Sequence, residues 1–173
     1  MPGVKAYMLS LLAVRRATLQ AEFLSKFPSA WLVWEPGVWQ PTTGKTSQES
    51  TRITSLNAAM DRPVGGDALC FELPRGATLK VGRATGCDVL INDATVSREH
   101  LWLEPLAEGW SARAQPGASS TLLNGQPLAL GAVQPLRPGN ALRLGDVTLT
   151  YLDAPGLAAR LDVQIQAVAS RKD

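Results

Sequence analysis

The strongest constraint on this chain is a rhythm. From Asp67 to Asp153, short apolar runs alternate with turn signals every eight to twelve residues, and no long helical pattern interrupts them. Runs of that length cannot build helices of several turns, but paired side by side they build sheets that bury one face each, which is the pattern of a two-sheet sandwich. Strands are expected at Leu69 to Leu73, Thr78 to Gly82, Asp88 to Ile91, Leu101 to Glu104, Trp110 to Ala114, Leu122 to Leu123, Gln126 to Leu128, Ala141 to Leu144 and Val147 to Tyr151. The punctuation between them is Pro74-Arg-Gly, Asn92-Asp, Glu108-Gly, Asn124-Gly125, Pro138-Gly-Asn and Gly145-Asp146, all residues that tolerate or favour turns. The fold class expected is all-β, an antiparallel two-sheet β-sandwich with a short N-terminal helical and Trp-rich extension.

The rest of the chain reads as appendages, giving four expected segments: 1–40, a helical and Trp-rich extension; 41–66, a linker; 67–153, the sandwich; and 154–173, a C-terminal extension. Leu9, Leu12, Leu19, Phe23 and Phe27 recur mostly at threes and fours before Pro28, the spacing of one or two short helices. Trp31, Trp34 and Trp39 follow in a segment bounded by Pro and Gly, and the favoured reading buries them against the sandwich, because several exposed aromatics invite aggregation. Pro41 to Gly66 is rich in Thr, Ser, Gln and Gly, as a linker is. Leu157 to Val168, after Pro155-Gly156, suits a helix or a last strand.

Charge argues against some partners. Lys and Arg number 17 against 15 acids, and within Asp67 to Asp153 seven basic residues meet nine acids, so neither a nucleic acid nor a membrane is expected as partner. Any anion site in the sandwich must be local. The apolar stretch Ala6 to Val14 is too short to span a bilayer and runs into Arg15-Arg16 without a small-residue cleavage site. A cytoplasmic location is therefore expected, with Cys70 and Cys87 as free thiols.

Three pieces carry chemistry. Gly82-Arg83 closes an expected strand; Ser97-Arg98-Glu99-His100 begins fourteen residues after the Arg; and Ser119-Ser120-Thr121-Leu-Leu-Asn124-Gly125 follows. A phosphothreonine presents about −1.5 to −2 charges and three acceptor oxygens, so a reader needs guanidinium groups for charge and hydroxyl or amide donors for the remaining lone pairs. Arg83, Ser97, Arg98 and a donor near Ser119 supply that set, on loops that a rigid sandwich can bring together.

In this order and spacing, followed by the paired strands of Ala141 to Thr150, the three pieces resemble the forkhead-associated (FHA) family over about half of the chain. The resemblance implies an FHA/SMAD-like sandwich that binds phosphothreonine-containing segments of proteins. It implies phosphate contacts from Arg83 and Ser97, often helped by Arg98, and peptide contacts from Ser119, Ser120 and Thr121, while Asn124, first a hairpin-turn residue, is mainly architectural and shapes the phosphopeptide-binding loop that grips the peptide backbone. Gly82, His100 and Gly125 become parts of the structural motif. One departure stands out, for the family's Asn-Gly before the Thr is Ser119-Ser120 here, a shorter donor and a side chain where Gly turns freely.

The expected function is a bacterial, cytoplasmic, non-enzymatic adaptor in Ser/Thr-kinase signalling, with no cofactor, metal or catalytic residue. Its partner would be a phosphothreonine protein in trans or, secondarily, its own linker phosphorylated at Thr42, Thr43, Thr46, Thr51 or Thr54. The alternative is a phosphate-independent assembly module, for example of a secretion system. Gly44-Lys45-Thr46 lacks the Gly that a phosphate-binding loop needs where Trp39 stands, and two Cys with one His do not make a closed zinc site.

Overall fold

The computed structural model describes residues 4–35, 67–118 and 120–170. Expectations for the linker 41–66 and its threonines, for Trp39 and for Ser119 lie outside the described residues.

Twelve strands and three α-helices are described: β1 Lys5–Met8, α1 Leu9–Leu19, α2 Phe23–Lys26 after a 3-10 turn at Gln20–Glu22, β2 Ala30–Trp34, β3 Leu69–Leu73, β4 Leu79–Gly82, β5 Val89–Leu90, β6 Leu101–Pro105, β7 Trp110–Ala114, β8 Thr121–Leu123, β9 Gln126–Pro127, β10 Val133–Pro135, β11 Ala141–Leu144, β12 Val147–Leu152 and α3 Ala154–Ser170. They form a sandwich of a seven-stranded sheet, ordered β1-β3-β2-β12-β11-β8-β9, and a five-stranded sheet, ordered β10-β7-β6-β4-β5. All pairs are antiparallel except β4 with β5, which departs from the wholly antiparallel expectation. The sequence reading has no counterpart for β1 or β10. The latter is an exposed edge strand of three residues containing Pro135, so it shows neither alternation nor a full set of N–H donors.

Trp31 and Trp34 are buried, as expected, but their segment is built into a sheet rather than packed onto it. β2 is an interior strand, paired with β3 through Trp31↔Glu72 to Trp34↔Leu69 and with β12 through Trp34↔Leu149 to Trp31↔Leu152. The sheet is thus not contained within Asp67 to Asp153. The run Ala-Trp-Leu-Val-Trp is apolar throughout because both of its faces are buried. Leu32 and Trp34 join the core between the sheets with Phe71, Val81, Leu103, Leu142 and Leu149. Trp31 and Val33 point the other way, into a second core under the helices with Leu12, Phe23, Phe27, Cys70, Leu157 and Leu161.

The C-terminal segment resolves as a helix. Asp153 caps it, accepting from Gly156 N (2.7 Å), and Pro155 sits in the first turn where its missing N–H costs nothing. Two ion pairs tie this layer down: Arg16 with Asp162 (3.0 Å), and Arg160 with Glu35 through two hydrogen bonds (3.3 and 3.1 Å).

Candidate phosphopeptide-binding loops

The candidate residues gather where β4 ends and β6 begins. At the end of β4, Gly82 O accepts from Ile91 N (2.9 Å), Arg83 N donates to Ser97 O (3.0 Å) and Ala84 N donates to Arg98 O (3.0 Å). The segment bearing Arg83 therefore lies directly against the one bearing Ser97 and Arg98. Gly82 makes this approach possible, since a Cβ there would fall 2.2 Å from Arg98 O and 2.8 Å from its carbonyl carbon. Arg83 is further steered by its own side chain, whose Nε donates to Val96 O (3.1 Å).

His100 holds the same segment from below. It is fully buried; its backbone N donates to Val81 O (2.8 Å), and its Nδ1 accepts from Ser97 N (3.0 Å). An imidazole that accepts through Nδ1 and is cut off from water is held neutral, with its proton on Nε2. Burial accordingly lowers its pKa below the ordinary histidine value, while the Ser120 backbone near the ring opposes the shift. His100 thus touches both the Ser97 loop and the Ser120 loop, and its ring is spent on geometry.

Arg83 and Arg98 are exposed. Among the described residues neither forms an ion pair, and the Arg98 guanidinium donates no hydrogen bond. Elsewhere, Arg16, Lys80, Arg113, Arg143 and Arg160 each face a carboxylate within 4 Å. Two guanidiniums without a carboxylate, on rigid loops at one end of a sandwich, form a local positive site that a phosphate would neutralise. Ser97, half-buried, lies between them in sequence.

The remaining candidates separate. Ser120 is exposed on the approach to β8. Thr121 is 6% exposed, so its side chain faces the interior. Asn124-Gly125 lies at the far end of β8, about 13 Å along the strand from Ser120 at the usual rise per residue. Both turn residues have positive φ, 52° and 82°, as a tight hairpin requires. The Asn124 side chain is already engaged, its Oδ1 accepting from Ala141 N (2.9 Å). Thr121 is thus turned inward at the start of β8, and Asn124 holds the hairpin turn through its bond from Ala141, an architectural part. Among the described residues no group of His, Cys, Asp and Glu could hold a metal ion, and both cysteines are free.

Asp93, Thr95 and Gly145 also meet at this end of the sandwich. Asp93 and Gly145 were visible in the sequence only as turn residues, and Thr95 carried no signal there. Asn92-Asp and Gly145-Asp146 mark bends, but nothing in their local pattern says that the two bends touch.

Residues 67–154 match the family described as the cytoplasmic domain of the inner-membrane component of the type III secretion system, Yop-YscD. The chain is 26% identical over 122 residues to an ABC transporter ATP-binding/permease protein of Mycobacterium tuberculosis, a stretch covering 68% of this chain and 14% of that protein. It is 33% identical over 87 residues to an FHA domain-containing protein of Arabidopsis thaliana, covering 50% of this chain and 22% of that protein. The chain thus spans between a seventh and a quarter of the length of these relatives. Among solved structures, the FHA domain of an Arabidopsis thaliana hypothetical protein is similar, with a TM-score of 0.48 and 25% identity over 73% of this chain and 86% of that one.

Proposed function

The chain belongs to the Yop-YscD cytoplasmic-domain family, an FHA-type domain, and from that premise we propose that it is a protein–protein adaptor whose loop tips capture a phosphothreonine-containing segment of a partner. The observation that carries the reading is the pair of guanidiniums of Arg83 and Arg98, held on adjoining backbone segments and free of carboxylates among the described residues. Ser97 stands between them in the chain, and Ser120 lies across His100 from it.

The energetics are sufficient. Hydrogen bonds to charged groups contribute about 1.5 to 3 kcal/mol each, and micromolar affinity needs about 8 kcal/mol in total, so three or four such bonds less ordering costs approach it. Such a ligand needs a Ser/Thr kinase to make it, and kinase signalling in the cytoplasm is the setting we infer. A ring as buried and engaged as that of His100 is no candidate general base, in keeping with a binding module rather than an enzyme.

A second reading has its own support. The family is described as a component of a secretion apparatus, and an assembly module can use the same sandwich without phosphate. Binding of a degenerate phosphothreonine peptide library and its unphosphorylated twin, followed by fluorescence anisotropy in wild type and Arg83→Ala, separates the two. We expect micromolar, phosphate-dependent binding that falls at least tenfold in the variant, the loss of one charge-assisted bond. Equal binding of both peptides, or none, would sink the phosphopeptide reading in favour of the assembly module.

A further inference from the structure

The hairpin tip between β11 and β12 reaches across the end of the sandwich to both loops of the candidate site. On one side Gly145 N donates to Ser120 O, at a long 3.4 Å. On the other, Asp146 N donates to Thr95 Oγ1 (2.9 Å), two residues before Ser97. The Thr95 hydroxyl is also a donor, to Asp93 Oδ1 (2.7 Å), and the same oxygen accepts from Thr95 N (2.9 Å). A hydroxyl has one proton and two lone pairs. Here the proton is directed to a carboxylate that is 7% exposed, and a lone pair is thereby aimed at the hairpin.

Shape reinforces this contact. A Cβ at Gly145 would fall 2.2 Å from Thr95 O and 2.7 Å from Thr95 Oγ1, and the residue has φ of 60°. Only glycine lets the hairpin tip come this close. Bare backbone thus meets bare backbone at the rim, above the point where His100 touches the same two loops from inside.

We propose that Thr95, oriented by Asp93, and Gly145 form a latch that sets the spacing between the Ser97 loop and the Ser120 loop, making Thr95 a positioning residue of the phosphopeptide site. The proposal rests on the reading of that site given above. Thr95 itself is two residues from Ser97 and its hydroxyl is turned toward Asp93 and Asp146, so it acts through the loops rather than on the phosphate.

The test uses the full chain as wild type, Thr95→Val, Thr95→Ser and Gly145→Ala. Three signals are followed: anisotropy with the phosphothreonine library and its unphosphorylated twin, amide resonances of Ser97, Ser120 and Asp146, and thermal midpoint. Thr95→Val is expected to weaken phosphopeptide binding about tenfold, the effect of one hydrogen bond, and to shift all three amides. Thr95→Ser keeps the oxygen and restores both. A uniform drop in midpoint with unchanged affinity and unmoved Ser97 and Ser120 amides overturns the latch. If the wild type captures no phosphopeptide, the reading of the site fails by itself, and the latch stands or falls on the amide shifts, which need no ligand. Should Gly145→Ala not fold, the two Thr95 variants still decide.

Discussion

His100 shows how much one ring can organise. Its Nδ1 orders the Ser97 amide, its backbone ties to Val81, and its burial lowers its proton affinity. The sign of the consequence follows from linkage. The unfolded chain takes up a proton as pH falls through the ordinary value of 6.5, before the folded protein does, so the proton favours unfolding. The stability that His100 contributes is complete above that value and is lost as pH falls toward the lower folded-state pKa. Urea midpoints of the wild type are expected to decline between about pH 7.5 and about pH 5.5 more steeply than those of His100→Gln. Parallel declines in the two proteins would mean that the ring is not held neutral.

The motif residues around it were legible from spacing, because the backbone ladder that joins Arg83 to Ser97 is local to one strand end. Thr121 was assigned to the peptide, and Asn124 to shaping the loop that grips it, from motif order alone. Motif order does not reveal that Thr121 points inward or that a strand separates Asn124 from the loops.

At the scale of elements, β2 decides the sheet. It lies between β3 and β12, so removing it would leave two ladders unpaired in the middle of a buried layer and uncover Phe71 and Leu149. A fragment beginning at Asp67 is therefore expected to show no cooperative thermal transition, whereas a chain retaining residues 4–35 melts cooperatively. Within the intact chain, Leu32→Ala should cost about 2 to 5 kcal/mol by denaturant titration, the range for a truncated core leucine. A well-folded fragment from Asp67 would show that another strand can fill the gap. The sequence reading buried the Trp31 segment against the sandwich but could not insert it into a sheet. A run that is apolar at every position says that both faces are covered, and leaves open what covers them.

Over the whole molecule, three layers stack: five strands, seven strands and the helices. Cys70 reports on the join between the last two. Its thiol is buried in the helical core, and burial first, then the nearby carboxylates Glu35 and Asp67, push its pKa far above the ordinary thiol value. Cys87 is partly exposed in the loop after β4, donating to Arg98 O (3.1 Å). A thiol reagent is expected to modify Cys87 in the native protein and Cys70 only with global unfolding in denaturant. Modification of Cys70 in native buffer at the rate of Cys87 would reveal a helical layer that opens on its own. Among the described residues no helix is long and apolar enough to cross a membrane.

What the sequence determined by itself was local: the period of the strands, the residues that turn them, and the charge and hydroxyl chemistry grouped within a few positions at Gly82-Arg83 and Ser97 to His100. Each depends on neighbours along the chain, and periodicity and turn chemistry record neighbours directly. The tertiary structure alone decided what depends on contacts between distant segments. It put residues 30–34 between strands from opposite ends of the domain, laid α1 and α3 over the outer face of the sheet, and set Thr95 against Gly145 at the rim of the loops. Those choices follow from how two buried faces and a handful of unpaired backbone groups can be satisfied at once, and no local window of the sequence contains that condition.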